Sequence, residues 1–274
     1  MTIDELPSPA AVADGTGPVL QMEGISKHFG SVQALTDVDF HVDAGEVVAL
    51  VGDNGAGKST LAKVLAGVHP PDAGTIRVSG KTVKFPTPSS AQAAGIATVF
   101  QDLALCDNLD VVANLFLGRE ETSLRVIDEV DMERQAWSLL KQLSAKIPSV
   151  RIPMAGLSGG QRQTVAIARS LVGKPRVVML DEPTAALGVA QTAEVLNLIE
   201  RLRDDGLAVV LITHNMADVQ AVADRVVVLR LGRNSVELAI ADATAENLVA
   251  AITGAADNVV TARAARRATV KEQA

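Results

Sequence analysis

The chain has 274 residues, 48% of them hydrophobic, with a formal net charge of −7 at pH 7. That length holds one large domain or two small ones with a sizeable core, and the acidity argues against a global nucleic-acid footprint. A single cysteine, Cys106, excludes an internal disulfide and fits a reducing compartment.

Residues 1–18 carry Pro7, Pro9, Pro18, Gly15 and Gly17 among small and acidic residues and read as a flexible leader. The folded part starts at 20–25, and 38–42 alternates as a half-exposed strand does. A turn at 43–45 feeds 46–51, short and apolar enough for a buried strand. A glycine loop and a helix at 61–66 follow. After a break at 69–74, segments 75–78 and 81–85 flank Ser79-Gly80 as a hairpin, and 96–100 is a strand ending at Gln101. Residues 103–156 change character: helical patterns at 110–117 and 131–143 suggest a helical insertion closed by Pro148 and Pro153. Then come a helix at 161–172, a buried strand at 176–180, a helix at 189–203, a strand at 207–213, a short helix at 215–223 and a strand at 225–231. Such alternation predicts an α/β fold, a mostly parallel sheet with helices on both faces. The Ala-rich stretch 255–274, with Arg263, Arg266, Arg267 and Lys271, reads as a flexible tail, its four cations making only a thin case for attraction to anionic lipid.

Three stretches carry chemistry. Gly52-Asp53-Asn54-Gly55-Ala56-Gly57-Lys58-Ser59-Thr60 fits the phosphate-binding pattern G-x-x-x-x-G-K-[ST] between strand and helix. Its glycines let backbone N–H groups and a helix N-terminus face a polyphosphate. Lys58 would reach the β- and γ-phosphates of a nucleoside triphosphate, and the Ser59 hydroxyl would hold Mg²⁺. The bland alternative is a glycine turn beside a surface lysine. The strand at 176–180 lifts Asp181 and Glu182 to a sheet edge, Asp181 to hold Mg²⁺ and Glu182 to polarise a water as general base, against two merely solvated acids. Leu157-Ser158-Gly159-Gly160-Gln161, just before a helix, is a second glycine-rich anion site.

With Leu-Ser-Gly-Gly-Gln in place, residues 19–254 resemble the nucleotide-binding subunits of ATP-binding cassette (ABC) transporters. The resemblance implies a single P-loop cassette with an antiparallel β subdomain besides the helical insertion. It implies that Phe29 stacks on adenine (the alternative being core packing), that Gln101 touches Mg²⁺ and the attacking water, and that His214 contacts the γ-phosphate. It also implies a head-to-tail dimer with a second copy, in which Ser158, Gly159, Gly160 and Gln161 serve the partner's ATP. Membrane-embedded permease subunits and, indirectly, a substrate-binding protein complete the expected assembly, with no nucleic-acid partner. One residue departs from the pattern: Gly188 stands where the family's D-loop usually ends in Asp, which predicts weaker coupling between the two ATP sites.

Residues 52–54, 99–120 and 185–188 are similar to bacterial monosaccharide importers of the ribose, xylose and fructose type. The expected function is therefore ATP hydrolysis that powers import of a small substrate, a monosaccharide, with the subunit peripheral on the cytoplasmic face of the membrane. No stretch approaches the ~18 uninterrupted apolar residues of a span, and no signal peptide is visible. Alternatives are a soluble ABC ATPase acting on ribosome or DNA, which would bring a second cassette or a long coiled coil. An unrelated kinase or GTPase leaves the Leu-Ser-Gly-Gly-Gln unexplained, and an exporter usually carries a fused membrane domain.

Overall fold

The computed structural model describes residues 17–123 and 126–254. All of the expected leader but Gly17 and Pro18, and all of the expected tail, lie outside them.

The chain opens with an antiparallel pair, β1 (Leu20–Phe29) and β2 (Val32–Val42), then β3 (Val47–Gly52), the glycine loop and helix α1 (Lys58–Leu65). Strands β4 (Ala73–Val78) and β5 (Lys81–Val83) form the expected hairpin. Its two-residue turn puts both Ser79 and Gly80 at positive φ, the twist such a turn requires. Helix α2 (Pro88–Ala93) leads into β6 (Ile96–Val99). The insertion contains α3 (Val111–Phe116), a small hairpin of β7 (Thr122–Ser123) and β8 (Val126–Ile127), and α4 (Glu129–Gln142). After a 3-10 turn come α5 (Gly159–Leu171), β9 (Val177–Asp181), α6 (Val189–Asp204), β10 (Ala208–Ile212), α7 (Met216–Val222), β11 (Arg225–Arg230), β12 (Arg233–Ala239) and α8 (Ala245–Thr253).

Two sheets result. One is antiparallel, in the order β2-β1-β4-β5; the other runs β12-β11-β3-β10-β9-β6, parallel except for β12. Strands β3, β9 and β10 are buried runs without alternation, as strands covered on both faces must be. Side chains along them still alternate between two cores. Val47, Ala49, Val51, Leu180 and Leu211 join the core with α3 to α8. Val48, Leu50, Met179 and Ile212 join the core with α1 and the antiparallel sheet. The insertion shares the first of these cores, so it is packed onto the α5 side of the sheet rather than hung from it.

The departures from expectation lie where local signals were short. The half-exposed strand at 38–42 is the end of an eleven-residue β2. Helix α2 was missed although Thr87 caps it and Pro88 occupies its first position. The insertion is not wholly helical, because β7 and β8 pair across it. The last strand read from the sequence is followed by β12 and α8, which close that end of the sheet.

Candidate functional site

Parallel pairing sets the site. Ile212 is in register with both Leu50 of β3 and Asp181 of β9, so β9 and β10 end together, two residues below the end of β3. The glycine loop leaves β3 there, Glu182 follows β9, and Thr213-His214 follow β10. Val99 of β6 pairs with Leu180, which brings Gln101 to the same edge. This is the carboxyl edge of the sheet, where open α/β sheets bind ligands.

The glycine loop is held from behind by backbone. A Cβ on Gly52 would lie 2.3 Å from the Leu229 carbonyl oxygen, and one on Gly57 would lie 2.8 Å from Leu35 Cδ2. Gly55, at φ +79°, faces open space, so that side of the loop is free for an anion. The Ala56 N–H bonds back to Asp53 O at 3.1 Å, and the Gly232 N–H props Ala56 O at 3.0 Å. Lys58 Nζ lies over the loop, donating to Gly52 O at 2.7 Å and Asp53 O at 3.1 Å. Asn54, Ser59 and Thr60 complete the loop and the first turn of α1, whose leading N–H groups have no partner within the helix.

The two acids differ in surroundings. Burial, then the charge of Glu182, pushes the Asp181 carboxyl above its ordinary value, while Lys58 and Lys63 pull it down. Glu182 sits at φ +50°, a sparsely populated conformation held by its N–H bonding Ile212 O at 2.8 Å. Its Oε1 is 2.7 Å from His214 Nδ1, and its Oε2 accepts from the Thr213 hydroxyl at 3.3 Å. Thr213 is fully buried and its Oγ1 also accepts the Asn215 N–H at 3.1 Å. Glu182 is largely enclosed, whereas the His214 side chain is 77% exposed.

Ser59 Oγ, Gln101 Oε1 and the Asp181 carboxylate are hard oxygens, and Asp181 is half-buried under the charge of Lys58, chemistry that suits Mg²⁺ carried in on a triphosphate.

Phe29 is 43% exposed, which removes the core-packing alternative. Its ring meets His69 edge-on at a centroid distance of 5.2 Å and has Lys27 Nζ 5.6 Å away. Asp72 fastens this end of β1, taking Lys27 Nζ at 2.8 Å and the His28 N–H at 2.7 Å; the Lys27 bond is the main reason its carboxyl is lowered to about 2.

The second glycine loop starts α5. Ser158 Oγ accepts the Gln161 N–H at 3.3 Å and Gln161 Oε1 accepts the Ser158 N–H at 2.9 Å, a reciprocal capping box. The hydroxyl proton of Ser158 stays available to an anion. Neighbours stand close here: a Cβ on Gly160 would lie 3.0 Å from Gln191 Cβ, and one on Gly159 3.2 Å from Leu187 Cδ2, tight contacts that would press on those side chains. Gly188 has open space around its Cβ position and sits at φ −74°, so an aspartate would fit.

Beside the Gln101 segment lies a cavity of about 360 Å³, lined by Phe100, Asp102, Leu103, Leu115, Arg119 and Arg169. Arg169 donates to the carbonyls of Leu103 at 2.6 Å and Ala104 at 2.7 Å, and burial lowers its pKa. Sequence reasoning missed Thr213, Thr184, Asp218 and Asp72. Only Thr213 had a signal, its place between strand and histidine.

The chain matches the ABC transporter family over residues 35–185. It is 44% identical to the xylose/arabinose import ATP-binding protein of Sulfolobus acidocaldarius over 215 residues, covering 78% of this chain and 86% of that one. It is 44% identical to the fructose import ATP-binding protein of Rhizobium meliloti over 246 residues, 87% of this chain and 95% of that one. A ribose import ATP-binding protein of the same species is 42% identical over 87% of this chain, which spans 48% of that longer protein. The soluble alternative, acting on ribosome or DNA, finds no support among these relatives. Among solved structures, a cassette of an ABC transporter in its ADP conformation superposes with a TM-score of 0.75 at 26% identity, covering 85% of this chain and 99% of that one. A dimeric post-hydrolysis cassette bound to ADP and Pi gives 0.68 at 26% identity, covering 81% and 98%. Sequence match and shared fold agree, and this protein belongs to the ABC transporter family.

Proposed function

We propose that residues 19–254 act as one cassette that hydrolyses ATP to power import of a monosaccharide. The cassette works as a head-to-tail pair with a second copy, under a separate permease, on the cytoplasmic face of the membrane. The observation that carries this reading is the meeting of Lys58, Asp181, Glu182 and His214 at one sheet edge, joined to the import duty printed for the sugar relatives. Among the described residues no helix is long and apolar enough to cross a membrane, which fits a peripheral place.

ATP binds with its phosphates in the 52–60 loop and its adenine against Phe29. Lys58 then exchanges its loop carbonyls for phosphate oxygens, which compensates an ammonium more strongly than neutral acceptors do. Mg²⁺, when bound, would be held by Ser59, Asp181 and Gln101 and would neutralise charge on the β- and γ-phosphates. Glu182 takes a proton from the attacking water. His214, engaged at Nδ1 by Glu182, has Nε2 left for the γ-phosphate. Ser158, Gly159, Gly160 and Gln161 contact the γ-phosphate held by the partner copy. Because both copies contribute to each nucleotide, ATP favours the closed pair and hydrolysis releases it. The cavity beside Gln101 is where a permease segment would sense that closure. A substrate-binding protein delivers the sugar to the permease from the other side.

The test is a pull-down of the Glu182→Gln form with ATP from native membranes, read by mass spectrometry. A multi-span permease is expected, with ATP bound and turnover lost. Rapid hydrolysis by that variant would remove Glu182 from the base role. Ribosomal or DNA-repair proteins without a permease would overturn the transport reading.

A further inference from the structure

One buried carboxylate is unused by this mechanism. Asp218 on α7 is 3% exposed, and Thr184 Oγ1 donates to its Oδ2 at 2.5 Å. Thr184 is itself buried, two residues past Glu182, in a turn closed by the Ala185 N–H to Glu182 O at 3.1 Å and the Leu187 N–H to Thr184 O at 3.2 Å. Asp218 lies four residues past His214, on a helix capped by Asn215, whose N–H bonds Thr213 Oγ1. Thr213 bonds Glu182 in turn. The segments carrying Glu182 and His214 are thus tied at the site, where Glu182 meets Ile212 O, Thr213 and His214, and again behind it through Thr184 and Asp218.

A carboxylate shielded from water is costly, and an apolar pair of the same volume would often stabilise more. What the hydroxyl–carboxylate bond adds over such a pair is direction: it sets one distance between the turn after Glu182 and the helix after His214. The end of that turn and the first turn of α6 touch the second glycine loop, with Leu187 against Gly159 and Gln191 against Gly160. One short segment therefore connects the loop that would hold the partner's ATP to the base of this copy's own site. Gly188, within it, has no side chain to do so.

We propose that Thr184 and Asp218 are positioning residues: their buried hydrogen bond holds Glu182 in register with His214 and passes engagement of the Ser158–Gln161 loop on to Glu182. The inference rests on the reading of Glu182 as general base.

The experiment compares Thr184→Val, Thr184→Ser and Asp218→Asn in the full chain with its permease. Thr184→Val deletes the donor at constant volume and should lower kcat about tenfold, with KM within about twofold, as loss of orientation without loss of binding does. Its dependence on ATP concentration should lose cooperativity. Thr184→Ser keeps the donor and should restore kcat; in Asp218→Asn the amide oxygen still accepts, so kcat should stay near wild type. In the nucleotide-free protein, amide exchange at Ala185 and Leu187 should accelerate about tenfold in Thr184→Val while β9 is unchanged. If Thr184→Val does not fold, Thr184→Ala makes the same deletion with less crowding. A kcat within twofold of wild type in the donor-deleted variant, or a Ser variant as slow as it, overturns the proposal. Glu182→Gln run alongside separates the two readings: if it is inactive while Thr184→Val is fully active, only this inference fails, and if it turns over normally, the base assignment fails.

Discussion

Asn114 offers the sharpest test of how the turn at 106–110 is held against α3. It is fully buried on α3. Its Oδ1 accepts the Cys106 N–H at 2.8 Å, and its Nδ2 donates to the carbonyls of Cys106 at 3.0 Å, Leu109 at 3.2 Å and Asp110 at 2.9 Å. Replacing it by alanine does not orphan all four groups. Cys106 O keeps the Leu109 N–H, Leu109 O keeps the Met154 N–H, and Asp110 O keeps the Asn114 N–H. Only the Cys106 N–H loses its partner. An orphaned donor costs about 1–3 kcal/mol and each lost second bond about 0.5 kcal/mol, so Asn114→Ala should destabilise by about 3 kcal/mol. For a domain of this size that is a fall in Tm of about 6–12 °C, read by circular dichroism at pH 7. Asn114→Asp should be at least as harmful, because its second oxygen would face three carbonyls. A fall in Tm below about 2 °C for alanine would mean that water replaces the amide freely, and would refute this account of the turn.

Gly52→Ala should cost about 2–4 kcal/mol and most of the ATP affinity, since its Cβ collides with backbone at Leu229. Gly55→Ala meets no atom and should cost only the ~1–2 kcal/mol of a left-handed residue; equal losses by melting would show that the collision does not matter. Asp181→Asn bears on pH. The folded carboxyl is raised above its ordinary 3.8, so the native state holds its proton longer and stability from this group falls as pH rises through that window. The variant should therefore lose ATPase activity yet melt higher than wild type at pH 7, with the gap closing below about pH 4; a lower Tm at pH 7 would contradict the burial argument. Gly188→Asp should fit without strain and raise stability by a few tenths of a kcal/mol through capping α6. Its ATPase cooperativity should increase, and an unchanged Hill coefficient would show that this position does not couple the sites.

Local patterns sufficed for the motifs and most elements. The glycine loop, the apolar run into Asp181-Glu182 and the Ser-Gly-Gly-Gln before α5 are contiguous, because a phosphate site made of backbone N–H groups must be written in consecutive residues. The strands β3, β9 and β10 were legible because burial on both faces leaves uninterrupted apolar runs. Pairing and side-chain partnership were not legible. That Leu50, Asp181 and Ile212 share one level is decided by strand register, and the bonds of Glu182 to Thr213 and His214 follow from it. The partners of Asp72 lie on β1 and that of Asp218 in the turn after Glu182, both far back in the chain, and those of Asn114 lie in the turn before its own helix, so no periodicity reveals them. Even the glycines divide this way. Gly55 is required by its own turn, but Gly52 is required by the Leu229 carbonyl, far along the sequence. Backbone chemistry is encoded locally in this protein, whereas the placing of side chains around it belongs to the packed structure, because close approach exists only once the sheet has formed.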